Sequence, residues 1–220
     1  MKSSRCKTKH SRAETPLFEL PDKIVMASGN AGKLREIERI LAALDITVIS
    51  QADLAVSDAI ETGDTFVENA LIKARHAVAA TGLPAISDDS GLVVDALDGG
   101  PGVYSARYSG PGASDDSNID KLLQELQDVD DASRGAAFHC AACFVLPDDG
   151  DPVIAEGEWR GAILRERRGD GGFGYDPVFL DSESGLSAAE LDSEQKNQRS
   201  HRGKALAGLV KQMMQHPRQS

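Results

Sequence analysis

Asp88 and Asp89 stand between two short apolar runs, Leu83–Ile86 and Leu92–Val94, within Ser87-Asp-Asp-Ser-Gly91. Two carboxylates at a strand-to-turn junction suit holding a divalent cation and taking a proton from water. Close carboxylates repel, and a cation between them keeps both ionised. The ends of strands are also where α/β folds put their sites. Ser90 adds a hydroxyl, and Gly91 lets another backbone come close.

Three further stretches supply complementary chemistry. Ser28-Gly29-Asn30-Ala31-Gly32-Lys33 follows an apolar run and precedes a helical pattern. A strand feeding a glycine-rich turn and then a helix offers backbone N–H groups to phosphate, and Lys33 adds a point charge. It is not a Walker loop: two residues separate its glycines where four are needed, and Leu34 follows the lysine. In Gly171-Gly-Phe173-Gly174-Tyr175-Asp176-Pro177, glycines bracket two rings, so backbone can approach a ligand while an aromatic stacks on it. Stacking on a nucleobase is worth about 1–3 kcal/mol per base. Ser200-His201-Arg202, with Lys196 just before, opens the last helix. Ser200 is a good N-cap, but positive charge there opposes the helix dipole, and such local conflicts often mark function. Glu61, in the polar turn Glu61-Thr-Gly-Asp64, reads by itself as a surface residue.

These pieces need elements to hold them. Lys23–Ser28 reads as a buried strand, Gly29–Gly32 as a turn, and Lys33–Leu44 as a helix with Leu34, Ile37, Leu41 and Leu44 on one face. Ile46–Ser50 is a second strand, which begins an α/β fold. Thr65–Thr81 is a helix with a capping box, Thr65 and Glu68, and an apolar face of Phe66, Ala70, Ala74, Ala77 and Val78. Leu83–Ile86 and Leu92–Leu97 read as strands flanking an acidic turn. Asp98–Gly112 reads as a loop, and Asp116–Leu126 as a helix. Ala136–Leu146 and Val153–Ile163 form a hairpin, followed by a strand at Pro177–Leu180 and a helix from about Ser200 to Met214.

At 220 residues and 40% hydrophobic, the chain suits one domain with a sizeable core. The net charge of −11 argues against binding a nucleic-acid polymer, while a local basic cluster can still take a small phosphorylated ligand. No apolar run is long enough to span a membrane. Cys140 and Cys143 have half the spacing of a zinc site, but three residues apart on a strand they point to opposite faces and read as core. Residues 1–12 hold five Lys or Arg and no acid, which a transit peptide can resemble. The plainer expectation is a disordered basic leader over residues 1–20 and a single domain over 21–216.

Six ordered blocks resemble the inosine triphosphate pyrophosphatase family: S-G-N-A-G-K at 28–33, E-T-G-D-T-F-V-E-N-A at 61–70, S-D-D-S-G-L at 87–92, P-G-V-Y-S-A-R-Y-S-G at 101–110, G-G-F-G-Y-D-P at 171–177 and S-H-R-G-K-A at 200–205. The resemblance implies an elongated α/β fold with a mixed central sheet, flanking helices, and two lobes around a cleft. It implies a cytoplasmic homodimer that uses Mg²⁺ to cleave ITP, dITP and XTP to the monophosphate and pyrophosphate. Residue by residue, it implies Ser28 to Lys33 on the triphosphate, Asp89 as metal ligand and general base, and Ser90 on substrate. Phe173, Gly174, Tyr175, Asp176, Lys196, His201 and Arg202 would meet base and sugar. Some relatives carry two adjacent acids before T-G; here Ile60 precedes Glu61, which leaves Glu61 as the second metal carboxylate. Two alternatives stay open: a pyrophosphatase for other modified nucleotides, and a nucleotide sensor without turnover, which carboxylates beside phosphate disfavour.

Overall fold

A computed structural model describes residues 21–147 and 150–215. The basic leader and Cys6 lie outside the described residues. The chain starts with a buried strand, β1 (Lys23–Met26), which leads through the Ser28–Asn30 turn into helix α1 (Ala31–Leu41). Next come β2 (Thr47–Ser50), α2 (Phe66–Thr81) and β3 (Ala85–Val94). Then follow α3 (Asp115–Glu125), the long strands β4 (Gly135–Val145) and β5 (Val153–Ile163), short β6 (Phe179–Asp181), α4 (Ser193–Arg199) and α5 (His201–Gln215).

The six strands make one mixed sheet in the order β2-β1-β3-β4-β5-β6. β1 runs parallel to both β2 and β3, as the strand–helix–strand start requires, and β3 to β6 are antiparallel. Helices cover both faces. On one, α1 and α5 bury Ile37, Leu41, Leu209 and Met213 against Ile24, Met26, Ile86, Cys140 and Phe144. On the other, Ala70 and Ala74 of α2 meet Ala141, Cys143 and Val145. The small alanines let α2 lie close to the sheet. A further cluster joins α3 to Leu92, Phe138, Trp159 and Phe179. Each fully buried leucine or isoleucine in these layers contributes roughly 1.5–3 kcal/mol. Cys140 and Cys143 fall on opposite faces, as alternation along a strand demands.

The structure differs from the sequence reading in three places that matter. Asp88 and Asp89 are not at a turn. β3 runs through them unbroken, paired to β4 from Ala85↔Val145 to Val94↔Ala136. The polar run Ser87–Ser90 looks like a breaker, but cations on both sides of the sheet and a full ladder with β4 outweigh that local preference. Second, Lys196 lies on a helix of its own, α4, which has no apolar residue and so no readable period. Third, the strand expected at Leu92–Leu97 stops at Val94 and passes into a 3₁₀ turn.

One glycine fixes where the last helix sits. A Cβ on Gly157 of β5 would lie 2.1 Å from the carbonyl oxygen of His201 and 2.7 Å from the amide of Ala205. Only glycine lets the first turn of α5 rest directly on the sheet, and that turn carries His201 and Arg202.

Candidate active site

Alternation along β3 gives the two aspartates separate surroundings. β1 pairs with β3 only at Ala85 and Ile86, so the polar stretch beyond has no strand beside it on that edge. Asp88 is fully buried and faces α1 and α5: its Oδ2 lies 2.9 Å from Lys33 Nζ and accepts from Arg202 Nε at 3.1 Å. Its Oδ1 is buried with no hydrogen-bond partner. Burial works against its charge, yet Lys33 and Arg202 hold the carboxyl well below the usual carboxylate range. Ser90, two residues on and so on the same side, accepts from Arg202 Nη2 at 3.1 Å. The cation expected between Asp88 and Asp89 is therefore replaced by two separate sets of cations.

Asp89 faces α2. Lys73 Nζ lies 2.7 Å from Asp89 Oδ1 and 2.8 Å from Glu61 Oε1. Burial raises the Asp89 pKa, and Lys73 draws it back only part of the way. Burial also works to lower the Lys73 pKa, but Asp89, Asp88 and Glu61 outweigh it, and the net shift is upward. The sequence reading missed Lys73. A signal was there: it falls in the stripe Phe66, Ala70, Ala77 at helical spacing, where a lysine needs a buried partner. Glu61 is brought to the site by the turn before α2. Thr65 and Glu68 form the expected capping box, and Asn69, fully buried, accepts from the Gly63 amide at 2.8 Å.

Glu61 and Asp89 fit a divalent cation, because each already holds an oxygen within 2.8 Å of one ammonium. No group of three or more His, Cys, Asp or Glu side chains among the described residues could hold a metal ion. Two carboxylates completed by substrate oxygens is how magnesium is commonly bound.

The Ser28–Lys33 turn is pre-ordered. Asn30 caps α1, its Oδ1 accepting from the amides of Gly32 at 2.8 Å and Lys33 at 3.2 Å. Ser28 Oγ accepts from the Asn30 amide. Two of the N–H groups expected to face phosphate are thus already paired with the cap, which leaves the Lys33 ammonium, 14% exposed, as the charged member of the turn.

At the other end, Phe173 and Tyr175 have separate duties. Phe173 is 38% exposed, with Lys196 Nζ 5.0 Å and the Arg202 guanidinium 5.5 Å from its ring centre. Tyr175 is buried, and its hydroxyl donates to the Ser105 carbonyl. Asp176 braces the loop: Oδ2 accepts from the Phe173 amide at 2.8 Å and from Lys196 Nζ at 2.5 Å. Burial nevertheless raises the Asp176 pKa. Gly174 donates its amide to Asp115 Oδ2 of α3 at 2.7 Å, a contact with no sequence signal. His201 stacks on Phe138, ring centres 4.8 Å apart, and its Nδ1 is buried without a partner. Burial, helped by Arg202, keeps its pKa well below 6.5, so the ring is neutral at pH 7.

All of this surrounds one cavity of about 600 Å³. Of the residues that the sequence marked, Ser28, Gly29, Asn30, Lys33, Glu61, Asp89, Ser90, Phe173 to Asp176, Lys196, His201 and Arg202 line it, while Ala31 and Gly32 do not, and the buried Asp88 stands behind the wall and touches it only through Lys33 and Arg202. Residues 24–212 match the Ham1 family. The chain belongs to the Ham1 family. The Methylococcus capsulatus "dITP/XTP pyrophosphatase" is 56% identical over 192 residues, covering 87% of this chain and 96% of that protein. The Xanthomonas oryzae protein of the same name is 57% identical over 187 residues, covering 84% and 94%. The structure of a HAM1 protein from Coxiella burnetii superposes with a TM-score of 0.81 at 49% identity, covering 87% of this chain and 98% of that one. The six-block resemblance and the mixed sheet with flanking helices both agree with this membership. Among the described residues, no helix is long and apolar enough to cross a membrane.

Proposed function

We propose that this Ham1-family chain hydrolyses ITP, dITP and XTP to the nucleoside monophosphate and pyrophosphate, with Mg²⁺, and so removes non-standard purines from the nucleotide pool. The observation that carries the reading is that one cavity gathers carboxylates and Lys73 in one wall and an exposed aromatic under two cations in another. The names of the relatives at 56% and 57% identity support it.

In this reading, Lys33 and the Ser28–Lys33 turn take the triphosphate. Glu61 and Asp89 hold Mg²⁺, which when bound neutralises the pyrophosphate leaving group. Asp89, whose carboxylate borders the cavity, accepts a proton from the attacking water. Lys73 steadies Asp89 and Glu61 against their mutual repulsion. The purine lies on Phe173. Hypoxanthine and xanthine present a 6-keto acceptor, adenine a 6-amino donor. Arg202 and Lys196 can only donate, and neutral His201 donates from one nitrogen, so this end favours the keto form. Ser90 holds Arg202 in place, Asp176 holds Lys196, and Tyr175 anchors the loop. The same reading makes the protein a cytoplasmic homodimer of two-lobed subunits.

The test is Mg²⁺-dependent pyrophosphate release from ITP, XTP, GTP and ATP side by side. ITP and XTP should exceed ATP by about 10⁴ in kcat/KM. Asp89→Asn should cut kcat by about 10²–10⁴. Equal turnover of ATP, or full activity in Asp89→Asn, would sink the proposal.

A further inference from the structure

α4 poses a physical problem. Its seven residues, Ser-Glu-Gln-Lys-Asn-Gln-Arg, include no apolar side chain, and none is buried. A helix this short is not stable in water by itself, and α4 has no apolar face with which to adhere. Yet it carries Lys196, whose ammonium must meet Asp176 and the Phe173 ring together. Something other than apolar burial sets its place.

Three attachments are visible. Asp192 caps its N-terminus, accepting from the amides of Glu194 and Gln195. Its backbone abuts the start of α5 at Gly203, where a Cβ would lie 1.8 Å from the Asn197 carbonyl oxygen. The third is Arg199, outside the cavity walls. Arg199 Nη1 lies 3.0 Å from Asp181 Oδ2 at the end of β6 and 3.0 Å from Glu183 Oε2. Asp181 is itself fixed: it is 2% exposed, and accepts from Trp159 Nε1 at 2.9 Å and from the Ser184 amide at 3.1 Å. Lys196 and Arg199 are three residues apart, so they share a face of the helix, one gripping the cavity loop and the other the sheet edge. A cation in the last turn also suits the helix dipole.

We propose that Arg199 is a positioning residue: its pair with Asp181 latches α4 to the end of β6 and thereby sets where the Lys196 ammonium lies over Phe173 and Asp176. Lys196 meets the base and sugar, away from the reacting phosphorus, in the function proposed above, on which the kinetic half of this inference rests. A displaced Lys196 would then weaken ground state and transition state alike.

The test compares wild type with Arg199→Gln, Arg199→Ala and Arg199→Lys. In ligand-free protein, amide hydrogen exchange over residues 193–199 should quicken about tenfold in Arg199→Gln, with 204–213 unchanged. With ITP, KM should rise about tenfold while kcat stays within about twofold. Arg199→Lys, which restores the charge, should recover most of the KM. The alanine variant should follow the glutamine one, and either serves if the other unfolds. Unchanged exchange over 193–199 overturns the latch. Faster exchange with an unchanged KM, or with a fall in kcat instead, overturns the link to Lys196. If wild type does not turn over ITP, the function proposed above fails, and the exchange comparison still decides whether Arg199 holds α4.

Discussion

Replacing Asp88 by asparagine removes one negative charge from the point where two positive ones meet. Its Oδ2 is 2.9 Å from Lys33 Nζ and 3.1 Å from Arg202 Nε, and the side chain is fully buried. Asparagine has nearly the same shape, so the change is one of charge. Removing one member of a buried ion pair costs about 3–5 kcal/mol, because its partner stays buried and uncompensated. Lys33 can relax toward the cavity and the amide oxygen still accepts one hydrogen bond, which puts the expectation at the low end, about 3 kcal/mol. For a domain of this size, that lowers the thermal midpoint by about 6–12 °C in scanning calorimetry at pH 7. The pH dependence follows from the sign of the shift. Lys33 and Arg202 depress the folded-state pKa below its ordinary 3.8. The stabilisation is therefore complete above that value and is lost as pH falls below it. Wild-type and variant midpoints should differ most near neutrality and converge in acid. Mg²⁺ affinity should barely change, since Asp88 faces away from Glu61 and Asp89. A midpoint within about 2 °C of wild type, or a loss of Mg²⁺ affinity equal to that of Asp89→Asn, would refute this division of labour.

Lys73→Met removes the cation that bridges Glu61 and Asp89, with Arg107, 3.9 Å from Glu61, remaining nearby, so added Mg²⁺ should raise the midpoint by about 2–4 °C more than in wild type; an equal or smaller rise in differential scanning fluorimetry refutes it. His201 is held neutral by burial, with its folded pKa well below 6.5. Its contribution is complete above about pH 6.5 and falls with pH below that, by up to about 1.4 kcal/mol per unit. His201→Gln should remove that slope from urea unfolding between about pH 6.5 and 5, and an unaltered slope counts against a buried neutral ring. Arg202→Ala should lower the ITP-over-ATP ratio of kcat/KM by about tenfold or more; an equal loss on both nucleotides would assign the arginine to phosphate or fold.

Much of the scaffold was legible because local chemistry and tertiary structure agree. The Thr65–Glu68 capping box, the β4–β5 hairpin and the opposed cysteines all follow from short-range rules that nothing overrides. The acidic motif misled for the opposite reason. A run of Ser, Asp, Asp and Ser prefers a turn, and only partners distant in sequence, β4 on its flank and Lys33, Lys73 and Arg202 around it, make it a strand. α4 left only its cap signal, Asp192 with Gln195 three residues on, since the charges that fix it sit on β6 and on the loop after it. The candidate site residues could be picked out by type. Their pairing could not, because whether Lys33 faces Asp88 or Asp89 depends on strand parity, and parity depends on the segment being a strand.

That parity also bears on how such a chain can change over generations. Odd and even positions of β3 meet different partners: Asp88 and Ser90 meet Arg202, and Asp89 meets Lys73, which also holds Glu61. In the function proposed above, a point mutation on one side retunes nucleobase preference while the proton-accepting side goes on unaltered, so drift in selectivity need not pass through an inactive ancestor. An inserted or deleted codon enjoys no such freedom. By shifting the strand one residue it would exchange the partners wholesale, sending each carboxylate to the other's cations. Selection should therefore tolerate substitutions at this segment far more readily than changes in its length.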